Sequence, residues 1–107
     1  MREIRHVRIT GLVQGVGYRA WVEQQASARG LEGWVRNCRD GTVEALFAGP
    51  ANVVSEMIAS CRRGPVTARV EGLQEQGGTL QMLDWRRAGE RFSVLPTHTG
   101  RNRPQSD

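Results

Sequence analysis

The sequence predicts an α+β domain in which a β-sheet carries two helices on one face. Three observations predict it: two stripes of apolar residues at helical spacing, strand-like alternation before and after each stripe, and an Asp-Gly pair between the second and third strand-like runs.

Residues 4–10, "IRHVRIT", alternate Val7 and Ile9 on one face with His6 and Arg8 on the other, the period of a half-buried strand. The first strand therefore ends near Thr10, with His6 expected on the solvent side. Beyond a glycine-rich stretch, Tyr18, Val22 and Ala26 recur at i, i+4 and i+8 until Gly30 offers a C-terminal stop, which makes the first helix. "GWVRN" and "TVEALFA" then flank Asp40-Gly41, whose readiness for positive φ suits a hairpin closed by Gly49-Pro50. Val54, Met57, Ile58 and Cys61 form the stripe of a second helix, which stops at "RRGP". "VTARVEG" alternates through Val66, Ala68 and Val70 as a fourth strand, and Phe92 and Val94 in "RFSVL" mark a shorter fifth. Between them Gly77-Gly78 and a polar run suggest a long loop, in which "TLQMLDW" could extend a strand or form a helical turn. Right-handed crossovers put both helices on one face of an antiparallel sheet of four to five strands, the ferredoxin-like βαββαβ sandwich. Strand one is central in that topology. Residues 1–95 are expected to be a single domain, and 96–107 a polar, flexible tail.

The composition narrows the chemistry. With 107 residues the chain is long enough for one core. No stretch approaches the roughly 18 apolar residues of a membrane span, and "MREIRHVRIT" lacks the apolar centre of a secretory signal, so a cytoplasmic location is the expectation. The net charge of +4 comes from 15 basic and 11 acidic residues, and every basic one is arginine. Without lysine there is neither Schiff-base chemistry nor a Walker-type phosphate loop. Cys38 and Cys61 make no metal-ligand spacing and read as unpaired thiols, while His6 and His98 have no carboxylate or cysteine neighbour at ligand spacing; no metal site is expected. Trp34 and Trp85 read as packing or rim residues. The arginines are scattered, which points to affinity for small anions rather than to a nucleic-acid stripe.

The stretch "GLVQGVGYR", Gly11 to Arg19, stands between a strand end and a helix start, where the first helical turn leaves backbone N–H groups free. Gly11, Gly15 and Gly17 allow backbone to approach a ligand closely, and the natural guest is a phosphate or carboxylate. Arg19 falls in the first turn, where the helix dipole disfavours a cation by up to ~1 kcal/mol. A bound anion removes that conflict, with Arg19 as a bidentate clamp. The spacing is not the dinucleotide fingerprint, since no parallel strand follows and the ribose-binding acid is missing.

"GLVQGVGYR" followed by "GWVRNCRDGTVEALFAG" closely resembles the acylphosphatase family, over about His6 to Val70. The resemblance implies a hydrolase of the carboxyl–phosphate bond that uses no metal and no cofactor. Its phosphate would be bound by the loop Leu12, Val13, Gln14, Gly15, Val16, Gly17 and Tyr18 together with Arg19, and Asn37 would orient the attacking water. Tyr18 departs from the commoner phenylalanine, residues 74–90 match poorly, and the tail passes the usual end.

The chemistry is consistent with so simple a site. The leaving carboxylate is stable as an anion near neutral pH, so no strong general acid is required. The remaining work is to neutralise phosphoryl charge and align a water. Asn37 can accept a hydrogen bond from water but has no basicity, which leaves the proton to a phosphate oxygen of the substrate. Inorganic phosphate or another small anion is then the expected product or inhibitor, and a monomer the expected state. The alternatives are a non-catalytic anion or acyl-phosphate sensor on the same fold and, ranked last, a nucleic-acid-binding protein. A sensor would need the clamp but not Asn37.

Overall fold

The alternation in residues 4–10 produces the burial it predicts, with Val7 and Ile9 fully buried beneath two helices. The computed structural model describes residues 1–99. In chain order the elements are β1 (Arg2–Leu12), α1 (Tyr18–Ala28), β2 (Glu32–Asn37), β3 (Val43–Pro50), α2 (Ala51–Arg63), β4 (Arg69–Gly77), α3 (Leu80–Leu83) and β5 (Phe92–Val94). They form one sheet in the order β4-β1-β3-β2-β5. This is the ferredoxin-like sandwich with a fifth strand added at the β2 edge.

Two details depart from the expected sheet. It is mixed rather than antiparallel, because β5 runs parallel to β2, pairing Val35 with Val94. The connection from β4 crosses to the opposite edge before β5 forms, which brings it in alongside β2 in the same direction. The fourth strand also begins later than the alternation suggests. Val66 is fully exposed, in a turn where the Ala68 N–H donates to the Pro65 carbonyl at 3.0 Å. The period-2 pattern through Val66 and Ala68 therefore belongs to a turn after Gly64-Pro65, not to a pleat.

The larger core lies between the sheet and α1 and α2. Tyr18, Val22 and Ala26 of α1 and Val54, Met57, Ile58 and Cys61 of α2 pack on Val7, Ile9, Val35, Val43, Ala45 and Phe47. Gly30, at φ 70°, ends α1 as its position suggests. A smaller core covers the other face, where Trp34, Leu46 and Ala48 pack beneath Leu83, Leu95 and Met82. The stretch "TLQMLDW" resolves into the helical turn α3, capped by Thr79, whose side chain accepts from the Met82 N–H.

That second layer corrects the placing of His6, which is buried rather than facing solvent. Register explains how. Arg8 pairs with Glu44 across β1–β3, and Arg36 pairs with Glu44 across β2–β3, so their side chains share one face with His6. His6 Nε2 meets Glu44 Oε2 at 2.6 Å, and its ring lies edge-on to Trp34. The beginning of the supposed flexible tail is also tied down: the His98 N–H donates to the Asn37 carbonyl at 2.8 Å, and the Arg39 N–H donates to the His98 carbonyl at 2.9 Å. Residues 100–107 of that expected tail lie outside the described residues.

Candidate active site

β1 ends against an edge strand that forces its geometry. At the irregularity between Thr10 and Gly11 the pairing with β4 shifts register, and a Cβ on Gly11 would stand 2.2 Å from the Arg69 carbonyl oxygen. Gly11 is thus required by the neighbouring strand rather than by a ligand, which corrects its expected role. Gly15 and Gly17 differ. Their φ values are 75° and 82°, and nothing beyond their own chain neighbours lies within 4 Å of where a Cβ would be, so they serve the turn and leave open space beside it.

Gly17 is the N-cap of α1 and gives it no side-chain cap, nor does the first turn hold an acidic residue. The consequence is a run of unused donors. Among the described residues, no protein group accepts from the backbone N–H of any residue from Gln14 to Ala20; the first to find a partner is Trp21, which donates to the Gly17 carbonyl at 3.1 Å. The Arg19 guanidinium, in that same first turn, likewise makes no hydrogen bond or ion pair among the described residues. Val13, Gly15, Gly17, Tyr18 and Arg19 line one depression of about 410 Å³, closed on other sides by Ala20, Glu23 and Val94.

The loop is braced from both flanks. On one side Thr67 Oγ1 donates to the Val16 carbonyl at 2.9 Å. On the other, Gln14 Nε2 donates to the carbonyls of Cys38 and Thr42, each at 2.8 Å. Tyr18 shows why tyrosine is tolerated at its position, because its hydroxyl donates to the Cys61 carbonyl at 2.8 Å. Burial pushes the Tyr18 phenol well above its ordinary range, and burial pushes the Cys61 thiol up to about 12, so neither ionises near neutral pH.

Asn37 does not line the depression. It ends β2, opposite Val43 of β3, and its Oδ1 is buried with no hydrogen-bond partner. A buried amide oxygen left unmade costs about 1–3 kcal/mol, so its retention needs a reason. The turn that follows Asn37 is firmly held: Thr42 donates to Asp40 Oδ1 through both N–H and hydroxyl, and Arg8 donates to Thr42 Oγ1 at 2.9 Å. The hydrogen bonds from Thr42 hold the Asp40 carboxyl below its usual range.

Sequence reading brought the loop, Arg19 and Asn37 forward but missed the groups around them. Glu23 follows Arg19 by one turn and was detectable from helical spacing. Thr67 and Val94 come from distant segments and carried no local signal. Among the described residues, no three His, Cys, Asp or Glu side chains gather as a metal site. No described helix is long and apolar enough to cross a membrane.

The family model described as acylphosphatase matches residues 5–83. The chain belongs to the acylphosphatase family. An acylphosphatase of Rhodopseudomonas palustris (strain BisB18) is 66% identical over 94 residues, spanning 88% of this chain and 95% of the relative. One from Bradyrhizobium diazoefficiens is 62% identical over 96 residues, spanning 90% and 97%. The crystal structure of acylphosphatase from Bacillus subtilis superposes with a TM-score of 0.74 at 31% identity, covering 89% of this chain and 99% of that one. Membership makes the chain a hydrolase acting on acyl phosphates, and the matched span contains both the glycine loop and Asn37.

Proposed function

We propose that the chain binds the phosphoryl group of an acyl phosphate on the N–H groups of the Gln14–Ala20 run, with Arg19 as the charged clamp, and that Asn37 orients the attacking water. The observation that carries this reading is the coincidence of unused donors with an unpaired arginine at an uncapped helix start. Water attacks phosphorus in line with the leaving oxygen, and the P–O bond to the carboxylate breaks. The bonding pair leaves with the carboxylate, and the water proton passes to a phosphoryl oxygen. The partnerless Asn37 Oδ1 is the acceptor such a water needs, and a mere anion sensor has no use for it.

The physiological setting follows the same reading: a monomer in the cytoplasm, acting on a small molecule without metal or cofactor, with inorganic phosphate as product and competitive inhibitor. A nucleic-acid role lacks a platform. The sheet face opposite the helices is covered by Leu83 and Leu95, and Trp85 is stacked on the buried Trp34. The test is hydrolysis of a simple aromatic acyl phosphate with and without chelator. Equal turnover in both is expected; a folded sample without turnover contradicts the hydrolase, and loss of turnover with chelator contradicts the metal-free mechanism.

A further inference from the structure

The two halves of the proposed site come from different parts of the chain. The loop follows β1, and Asn37 ends β2, two strands away in the sheet. Something must fix the one against the other, because displacing a reacting group by about 1 Å can cost a hundredfold in rate. We infer that Gln14 is the positioning residue that does so. Its side chain locks the glycine loop to the turn immediately after Asn37, and so sets the water-orienting amide relative to the bound phosphoryl group. The inference rests on the functional reading above.

The geometry assigns Gln14 this work in place of phosphate binding through its amide nitrogen. Both partners of Nε2, the Cys38 and Thr42 oxygens, are backbone carbonyls that can only accept, so the orientation of the side-chain amide is fixed. Both N–H bonds of that nitrogen are used, leaving none for a phosphate. Those carbonyls belong to the two ends of one turn, which also pair within it, Cys38 N–H to the Thr42 carbonyl at 2.8 Å and Gly41 N–H to the Cys38 carbonyl at 3.1 Å. A single nitrogen from the loop therefore closes the mouth of the turn whose first residue follows Asn37. The loop's other brace, Thr67 on Val16, ties it toward β4 and away from Asn37. Gln14 is thus the side-chain link between the phosphate cradle and the Asn37 turn.

The decisive experiment is a double-mutant cycle between Gln14→Ala and Asn37→Ala, with turnover of an aromatic acyl phosphate and competitive inhibition by inorganic phosphate measured for each variant, after thermal unfolding shows that it is folded. Gln14→Ala should lower kcat by about tenfold to a hundredfold, with phosphate inhibition and KM changed by less than about threefold. In the Asn37→Ala background the same change should have almost no further effect on kcat, because the group it positions is gone. Gln14→Glu adds an independent readout. Its carboxylate cannot donate to two carbonyls, whereas the protonated acid donates once, so its activity relative to wild type should rise several-fold as pH falls from 7 to 5. The inference is overturned by a Gln14→Ala kcat within about twofold of wild type, by an equal loss in the Asn37→Ala background, or by phosphate affinity falling in step with kcat. Wild-type turnover in Asn37→Ala would instead remove the functional reading itself, and this inference with it.

Discussion

Glu44 and Arg19 are both charged residues on a basic molecule, yet their surroundings are opposites. Around Glu44 every group is answered: His6 lies at 2.6 Å, Arg36 Nε at 2.7 Å and Arg8 at 3.9 Å, with the Arg36 guanidinium stacked over Trp34 and Trp85. Around Arg19 almost nothing is. The guanidinium and the N–H run from Gln14 to Ala20 lack partners among the described residues, as does Asn37 Oδ1 at the end of β2. The same chain shows that it can satisfy a buried carboxylate from the two strands on either side of it. On the proposed reading, the unsatisfied donors at the start of α1 are the place where an anion binds, and local rules are met there once it does.

The contrast makes the two regions fail differently when altered. The largest effect should be on rate: Asn37→Ala is expected to lower kcat by about 10² or more while leaving inhibition by phosphate nearly unchanged, read by steady-state kinetics with phosphate as competitor. Changes on the other face should act on stability instead. Glu44→Ala leaves His6, Arg36 and Arg8 without their shared carboxylate and should cost about 3–5 kcal/mol in denaturant unfolding, the scale for breaking a buried pair. A loss below about 1 kcal/mol would show that the network is not held as described. Met57→Ala, in the larger core, should cost about 2–5 kcal/mol and calibrates that result.

A pH titration sharpens the comparison further. Burial by itself would raise the Glu44 carboxyl, but the hydrogen bonds from His6 and Arg36 outweigh it and hold the group at about 2, below its ordinary 4.5. A depressed carboxyl contributes stability that is fully present above the unfolded value and lost as pH falls through the folded one. Unfolding free energy should therefore decline between pH 4.5 and 2, by up to about 3 kcal/mol from this group. In Glu44→Gln that part of the decline should be absent.

Much of this was legible in the sequence where local pattern and tertiary role coincide. The stripe Val54, Met57, Ile58, Cys61 is buried as a helical period requires, and α1 starts directly after the glycine-rich stretch, with Gly17 at its N-cap. What was not legible depended on distant partners. Nothing near His6 indicates that α3 and the segment before Leu95 fold over its face, or that Glu44 waits on the neighbouring strand β3. Likewise the alternation through Val66 looks like a strand until Gly64-Pro65 is seen to turn the chain. Within the site, Arg19 broke a local rule and so stood out. Gln14 broke none: its meaning lies in two carbonyls 24 and 28 residues away.

The central claim is that Arg19 and the free N–H groups form one anion cradle, and phosphate-dependent thermal unfolding of Arg19→Lys tests it most directly. Lysine keeps the charge but replaces a planar fork by a flexible point charge. The wild-type Tm should rise with inorganic phosphate, by the linkage expected of a ligand that binds only the folded state. Arg19→Lys without phosphate should unfold at the wild-type temperature within a few degrees, since no described residue holds its side chain, while most of the phosphate-induced shift and most of the turnover should be gone. A variant whose Tm climbs with phosphate as the wild type does, and which turns over substrate at a comparable rate, would contradict the cradle.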